Sequence, residues 1–312
     1  MKIVFMGTMD FAVPILKALE SEHDIVLVVT QPDRPAGRKR EPKASPVKEF
    51  ALSESMKLFQ PEKIKTDYLP VLDAAPDLIV VAAFGQMIPN VLLNYPKYRC
   101  INVHASLLPK YRGGAPMHRA IVAGDKVTGV TVMYMAEKMD AGPILSQAEI
   151  PIEDNDNVGT IEAKLGQLGA RLLLDTLPNV IDGTVVPIPQ TESEVTFARN
   201  LKHEEEFLDF SKTMKQIFDH VRGFYPWPVA SARVDGIILK IHEVAMRPDH
   251  GAFADRANGE VVSVTKRDVC VKVADGLIAL KTIQPEGKKP MDIQSYMNGA
   301  GKTLLSVGKI LK

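Results

Sequence analysis

The fold is decided by Cys100-Ile101-Asn102-Val103-His104-Ala105-Ser106-Leu107-Leu108-Pro109-Lys110-Tyr111-Arg112-Gly113-Gly114. Its first five residues alternate as a strand does, with Ile101 and Val103 on one face and Asn102 and His104 on the other. Pro109 then stiffens a loop that Gly113-Gly114 loosens. Two polar side chains therefore share a face where a strand ends, and in an open α/β sheet that carboxyl edge is where ligands bind.

On either side of this stretch, apolar runs alternate with helical patterns in the manner of parallel βαβ units. Strands are expected at residues 2–6, 25–30, 78–83, 100–104 and 128–134, and helices at 11–19, 46–55, 90–93, 116–122 and 160–181. In the last helix Ile161, Leu165, Leu168, Leu172 and Leu173 form one core-facing stripe. The turn Gly7-Thr8-Met9-Asp10 lacks the three-glycine spacing of a dinucleotide fingerprint and the Lys-Ser/Thr pair of a P-loop, so a Rossmann-like layer without NAD is expected.

With 312 residues, 46% of them apolar, the chain can bury two cores. Formal net charge is zero, which leaves attraction for a polyanion to local clusters. Cys100 and Cys270 have no metal-type spacing; they read as buried, inert thiols in a reducing compartment rather than a disulfide or a zinc site. A strand begins at Lys2, leaving no room for a signal peptide, and no apolar run reaches the roughly 18 residues of a bilayer span. A cytoplasmic protein without membrane contact is expected, and a monomer, since no sustained heptad or exposed strand edge is apparent.

Residues 31–48 gather Arg34, Arg38, Lys39, Arg40, Lys43 and Lys48 against Asp33 and Glu41, while four prolines and Gly37 argue against regular structure there until Ser45-Pro46 can cap a helix. Such a run is either a solvated surface loop or an arm that grips phosphates and orders on contact. The apolar strand at 78–83 ends in Phe84-Gly85-Gln86, which reads as a turn packed on the core or as the wall of a flat pocket for a heterocycle. Residues 182–200 form an extended, proline-punctuated strap and mark the domain boundary. Beyond it come a helix at 211–221, a turn at Pro226-Trp227-Pro228 and strands at 229–234, 237–244, 260–264, 269–273 and 277–283, spaced as in a small barrel.

The turn Met139-Asp140-Ala141-Gly142 adds a carboxylate to Asn102 and His104. Singly, each residue has a structural reading: a backbone-bonded Asn, a satisfied His, an Asp that forms a turn. Together they suit acyl transfer to an amine, in which an amide donor stabilises an oxyanion and an imidazole with a carboxylate handles the proton. Either His104 or Asp140 can be the base. With no Ser or Cys in a strained elbow, direct transfer is expected rather than a covalent acyl-enzyme.

The run from Asn102 to Gly113, taken with Met139 to Gly142, resembles the signature of the folate-dependent formyltransferases. The resemblance implies that Asn102, His104 and Asp140 carry formyl transfer from 10-formyltetrahydrofolate, with no metal. It also implies that Ser106, Leu107, Leu108 and Pro109 bind the folate and that Phe84 and Gly85 wall its pterin pocket. The segment from Gln31 to Arg38 resembles the insertion of the branch that acts on initiator methionyl-tRNA. This implies tRNA contacts at Arg34, Arg38, Lys39, Arg40 and Lys43, with Arg38 the most important. Pro226-Trp227-Pro228-Val229-Ala230 and the run Gln284 to Met291 are similar to that branch's carboxyl-terminal barrel.

The implied architecture is α/β: a Rossmann-like formyltransferase domain with a mostly parallel sheet over 1–189, a linker over 190–203, and a smaller OB-like β-barrel domain over 204–312 that touches tRNA. Met9 and Phe210 depart from the family's usual Pro and Trp, both outside the trio. The competing readings are a sugar-nucleotide formyltransferase, which needs no basic loop, a hydrolase that deformylates the folate with water, and a non-catalytic RNA-binding module on the same fold, against which the intact Asn102, His104 and Asp140 argue.

Overall fold

The first-half strands assemble into one seven-stranded sheet. They are β1 (Lys2–Gly7), β2 (Asp24–Val29), β3 (Arg34–Ala36), β4 (Glu41–Lys43), β5 (Leu58–Phe59), β6 (Leu78–Ala82), β7 (Cys100–His104), β8 (Val127–Tyr134) and β9 (Ile144–Pro151), of which β3 and β4 stand apart from the sheet. The sheet order is β5-β2-β1-β6-β7-β8-β9. The five strands from β5 to β7 pair in parallel, and the order reverses at β1 and β6, the switch point beside which α/β sheets bind ligands. The structure, a computed structural model, describes residues 1–36, 41–265 and 267–312.

Two expectations are corrected here. The parallel βαβ pattern stops at β7: β8 runs antiparallel to β7, and β9, absent from the expected strands, runs antiparallel to β8. Alternation in a sequence sets a strand's faces but not its direction, and β9 is an edge strand of whose eight residues only Ile144 is buried. Residues 31–48 are not irregular throughout, because Arg34–Ala36 and Glu41–Lys43 pair as an antiparallel hairpin with Pro35 opposite Pro42. A two-stranded ribbon consists only of edges, where proline is tolerated.

Helices α1 (Ala12–Glu22), α2 (Pro46–Ser53), α3 (Leu69–Asp73), α4 (Asn90–Leu93), α5 (Pro116–Val122), α6 (Val158–Asp182) and α7 (Met214–Gly223) follow the expected segments closely, apart from the unforeseen α3. Ser45 caps α2 by accepting from Lys48 N, with Pro46 at the first helical position. In α6 the expected stripe is borne out at Ile161, Leu165 and Leu173, which are fully buried, while Leu168 and Leu172 are half-buried. None of the described helices is long and apolar enough to cross a membrane.

The chain forms two units, and they interleave rather than dividing once near 189–204. One comprises Met1–Pro116, Val127–Pro151 and Ile161–Asn200; the other comprises Met117–Lys126, Ile152–Thr160 and Leu201–Lys312. Residues 190–200, expected as linker, lie in the first unit because their backbone pairs with the loop after β7: Arg112 N donates to Thr196 O, Ala198 N to Arg112 O and Ala115 N to Ala198 O. In the second unit Arg222, buried to 7% exposure, donates to the carbonyls of Glu153 and Asp156 and so ties residues 152–160 there.

The second unit is an antiparallel sheet of β10 (Ala230–Val234), β11 (Ile237–Arg247), β12 (Val261–Val264), β13 (Val269–Val273) and β14 (Gly276–Pro285), ordered β10-β11-β14-β13-β12, with β15 (Met291–Asp292) on β14. Its two edges are joined by residues 309–312. Arg233 of β10 exchanges both backbone hydrogen bonds with Lys312, while Leu311 N donates to Gly259 O and Val261 N to Lys309 O. Leu311 inserts into the core between them at 2% exposure, alongside Phe224, Ile217 and Val221 from the α7 region. This bridging gives the sheet its barrel-like continuity.

Candidate active site

β7 is an interior strand, so all five of its residues are buried, yet Asn102 and His104 at its carboxyl end retain 8% and 7% exposure. Asn102 lies across from Val81 on β6 and Met133 on β8, and His104 across from Thr131. The expected shared face is realised at the rim of the sheet.

Asp140 arrives from the turn between β8 and β9. Its backbone is left-handed, with φ +50, a conformation Asp tolerates better than most residues. Two residues later a Cβ on Gly142 would lie 1.8 Å from Tyr134 O, so the turn can close against β8 only with glycine there. Asp140 Oδ1 then stands 3.5 Å from Asn102 Nδ2 and 3.7 Å from His104 Nδ1, and Oδ2 accepts a 2.8 Å hydrogen bond from Gly113 N. His104 Nε2 is 3.0 Å from Tyr111 O; a carbonyl only accepts, so Nε2 carries a proton and Nδ1 is the nitrogen turned toward Asp140. An amide donor, an imidazole nitrogen and a carboxylate thus meet around one oxygen. Such spacings characteristically tighten when a substrate is bound.

The strap at 188–198 adds a group that the sequence reading missed. Gln190 Nε2 donates to the carbonyls of both Asp140 and Gly142, each at 2.8 Å, and Gln190 Oε1 accepts from Arg112 Nε at 3.0 Å. A Gln after Pro-Ile-Pro carries no local signal of this role; only its placement against the Asp140 turn reveals it.

The expected folate residues behave differently from one another. The ring of Phe84 is 2% exposed and belongs to the buried cluster that includes Val4, Met6, Val29 and Val81, the core alternative of the sequence reading. What reaches the surface beside it is the backbone of Gly85, where an added Cβ would meet only Gln31 Nε2, at 3.3 Å. The Ser106-to-Pro109 segment is held firmly. Thr131 Oγ1 donates to Ser106 O at 2.7 Å and accepts from Leu108 N, Gln147 Nε2 donates to Leu108 O at 2.8 Å, and Ser106 Oγ donates to Lys110 O at 2.7 Å. Leu107 and Pro109 stay partly exposed while Leu108 is buried. Among the described residues no three His, Cys, Asp or Glu side chains gather as metal ligands.

Residues 1–177 match the family described as formyl transferase, and residues 200–301 match its carboxyl-terminal domain. The chain belongs to the formyl transferase family. It is 46% identical over 308 residues to the methionyl-tRNA formyltransferase of Macrococcus caseolyticus, covering 98% of each chain. It is 47% identical over 315 residues to that of Staphylococcus aureus, covering 99% of each. In fold it is similar to HypX from Aquifex aeolicus in complex with tetrahydrofolic acid, with a TM-score of 0.66 at 17% identity; the match covers 98% of this chain but 48% of HypX.

In this formyl transferase the hairpin residues divide. Arg34 is exposed and pairs with Glu62 at 2.7 Å, and Lys43 is exposed on the opposite strand, while Arg38, Lys39 and Arg40 lie outside the described residues. The base of the hairpin is anchored where Lys48 Nζ meets Asp33 at 2.6 Å and Gln60 Nε2 donates to the same carboxylate; these bonds hold the Asp33 carboxyl below its ordinary range. Cys100, at the start of β7, has its thiol pushed up to about 12 by burial, which keeps it in the un-ionised form.

Proposed function

We propose that this chain transfers the formyl group of 10-formyltetrahydrofolate to the α-amine of methionine esterified to initiator tRNA. The chemistry rests on one observation, the meeting of Asn102 and His104 at Asp140 Oδ1. The choice of acceptor rests on relatives of that name that match at 46–47% identity over nearly the whole chain.

When bound, the folate supplies a formyl group on nitrogen. The exposed backbone of Gly85 and the braced Ser106-to-Pro109 segment suit a flat heterocycle, the first by offering close approach and the second by its rigidity. Asn102 Nδ2 is the donor for the oxyanion that develops when the amine attacks the formyl carbon, an interaction worth on the order of 10² to 10³ in rate. His104, holding its fixed proton on Nε2, uses Nδ1 to take the proton shed by the attacking nitrogen and return it to the departing one. Asp140 orients that nitrogen and stabilises the imidazolium as it forms. Net proton change is zero: one carbon–nitrogen bond forms, another breaks, and the products are the formylated aminoacyl-tRNA and tetrahydrofolate.

On the acceptor side Arg34, Lys43 and the intervening Arg38, Lys39 and Arg40 neutralise phosphates of the tRNA. The working compartment is a reducing cytoplasm, a reading supported by two free and buried cysteines. The test is a formyl-transfer assay with purified protein, 10-formyltetrahydrofolate and one of three acceptors: methionyl initiator tRNA, an amino-sugar nucleotide or water. Formylated aminoacyl-tRNA as the sole fast product supports the reading; preferred formylation of the sugar, or release of formate without an acceptor, overturns it.

A further inference from the structure

We infer that Gln190 and Arg112 are positioning residues that clamp the Asp140 turn in register with β7, a role that rests on reading Asp140 as part of the active site. The contacts close a ring. Gly113 N holds the Asp140 carboxylate at 2.8 Å, and Gly113 follows Arg112 in the chain. Arg112 Nε donates to Gln190 Oε1 at 3.0 Å, and Gln190 Nε2 returns to the main chain at Asp140 O and Gly142 O. Both ends of Asp140, carboxylate and carbonyl, are thereby referred to the one Arg112-Gly113 dipeptide.

The ring is built from groups that have little freedom. The Arg112 side chain is 5% exposed and spends its second arm on Glu192 Oε1 at 3.1 Å, while its backbone pairs with Thr196 and Ala198 on the strap. A guanidinium buried to this degree needs its acceptors, and the amide of Gln190 is the acceptor within the first unit that passes the constraint on. Asp140 itself sits at φ +50 between Met139 and Ala141, and the two donors of one amide fix the carbonyls on either side of Ala141. The left-handed residue that carries the carboxylate is thus held from behind, and a shift of under 1 Å there would change the spacing to His104 Nδ1.

The strap contributes to catalysis without touching the reacting atoms. A loss of the clamp should lower kcat and leave KM for both substrates alone, because the hydrogen bonds of Gln190 go to Arg112, Asp140 and Gly142 and, among the described residues, not to 106–109 or to the basic hairpin.

The experiment compares Gln190→Met, Gln190→Glu, Arg112→Lys and Asp140→Asn in full-length protein, by steady-state formyl transfer and melting temperature. Gln190→Met keeps length and volume but removes both donors; Gln190→Glu keeps the acceptor for Arg112 while setting a second oxygen against two carbonyls. Both are expected to lose about 10- to 100-fold in kcat with KM within about twofold of wild type. Arg112→Lys, unable to make the forked contact, should lose a similar factor, and combining it with Gln190→Met should cost no more than the worse single change. Wild-type kcat in both Gln190 variants beside an inactive Asp140→Asn overturns the clamp alone. Near-normal turnover in Asp140→Asn overturns the site reading, and the clamp with it. A raised KM with unchanged kcat in the Gln190 variants would instead make the strap a substrate contact and would also overturn the clamp.

Discussion

Gly113 N and Asp140 Oδ2 are joined by a 2.8 Å hydrogen bond, which leaves Oδ1 as the oxygen that faces Asn102 and His104. An amide at position 140 cannot serve both sides. With its oxygen toward Gly113, its NH2 faces the Asn102 donor; with its NH2 toward Gly113, two donors collide. Asp140→Asn is therefore expected to lose on the order of 10²-fold or more in kcat with folate and tRNA affinity retained, as read by single-turnover kinetics and direct binding.

Gly142→Ala tests the same turn by steric means. The new methyl would lie 1.8 Å from Tyr134 O, and a conflict with a strand backbone is relieved only by moving the turn. A displacement of about 1 Å at a catalytic group costs on the order of 10²-fold. The expected result is a kcat loss comparable to that of Asp140→Asn; turnover within twofold of wild type would show that the turn is more plastic than its packing implies.

Closure of the second unit depends on residues 309–312, whose anchor is Leu311 at 2% exposure. Leu311→Ala should cost about 2–5 kcal/mol in urea unfolding, as for a buried leucine elsewhere. Because Leu311 lies far in the chain from the trio and in the other unit, any transition resolved for the first unit should be unmoved.

Glu205 receives Arg119 Nη1 at 2.5 Å and Nη2 at 3.0 Å, and these hydrogen bonds pull its carboxyl from 4.5 down to about 2. A depressed carboxylate stabilises the fold above its unfolded pKa and loses that contribution as pH falls through the folded one. Glu205→Gln should thus be less stable than wild type at pH 7, with the gap closing between about 4.5 and about 2. Thermal melts of the two proteins across that range read the effect directly; a gap that widened toward acid would reverse the sign of the argument.

What could be read from the sequence was mostly local. The alternation of Ile101 and Val103 against Asn102 and His104 gave the strand and the shared polar face, and Ser45-Pro46 gave the start of α2. Strand direction was not legible, because β8 has the same apolar period whichever way it runs. Nor was the Arg34–Ala36 pairing with Glu41–Lys43, since prolines that exclude a central strand are compatible with a ribbon. The trio was legible as residue types, whereas its support was not: Gln190 lies 50 residues from Asp140, and only long-range pairing of the strap with residues 109–115 brings the two together. At Phe84-Gly85 the sequence was compatible with a core turn and with a ligand wall, and it is the burial of the ring beside the exposed Gly85 backbone that separates the two residues.

The central claim is that formyl transfer runs through Asn102 and His104 at the rim of β7. The most direct measurement is single-turnover formylation of methionyl initiator tRNA by wild type, Asn102→Ala and His104→Ala, with tRNA binding measured alongside. The account predicts that both substitutions abolish detectable transfer while the tRNA binds with near wild-type affinity. Near-normal turnover by His104→Ala would contradict it.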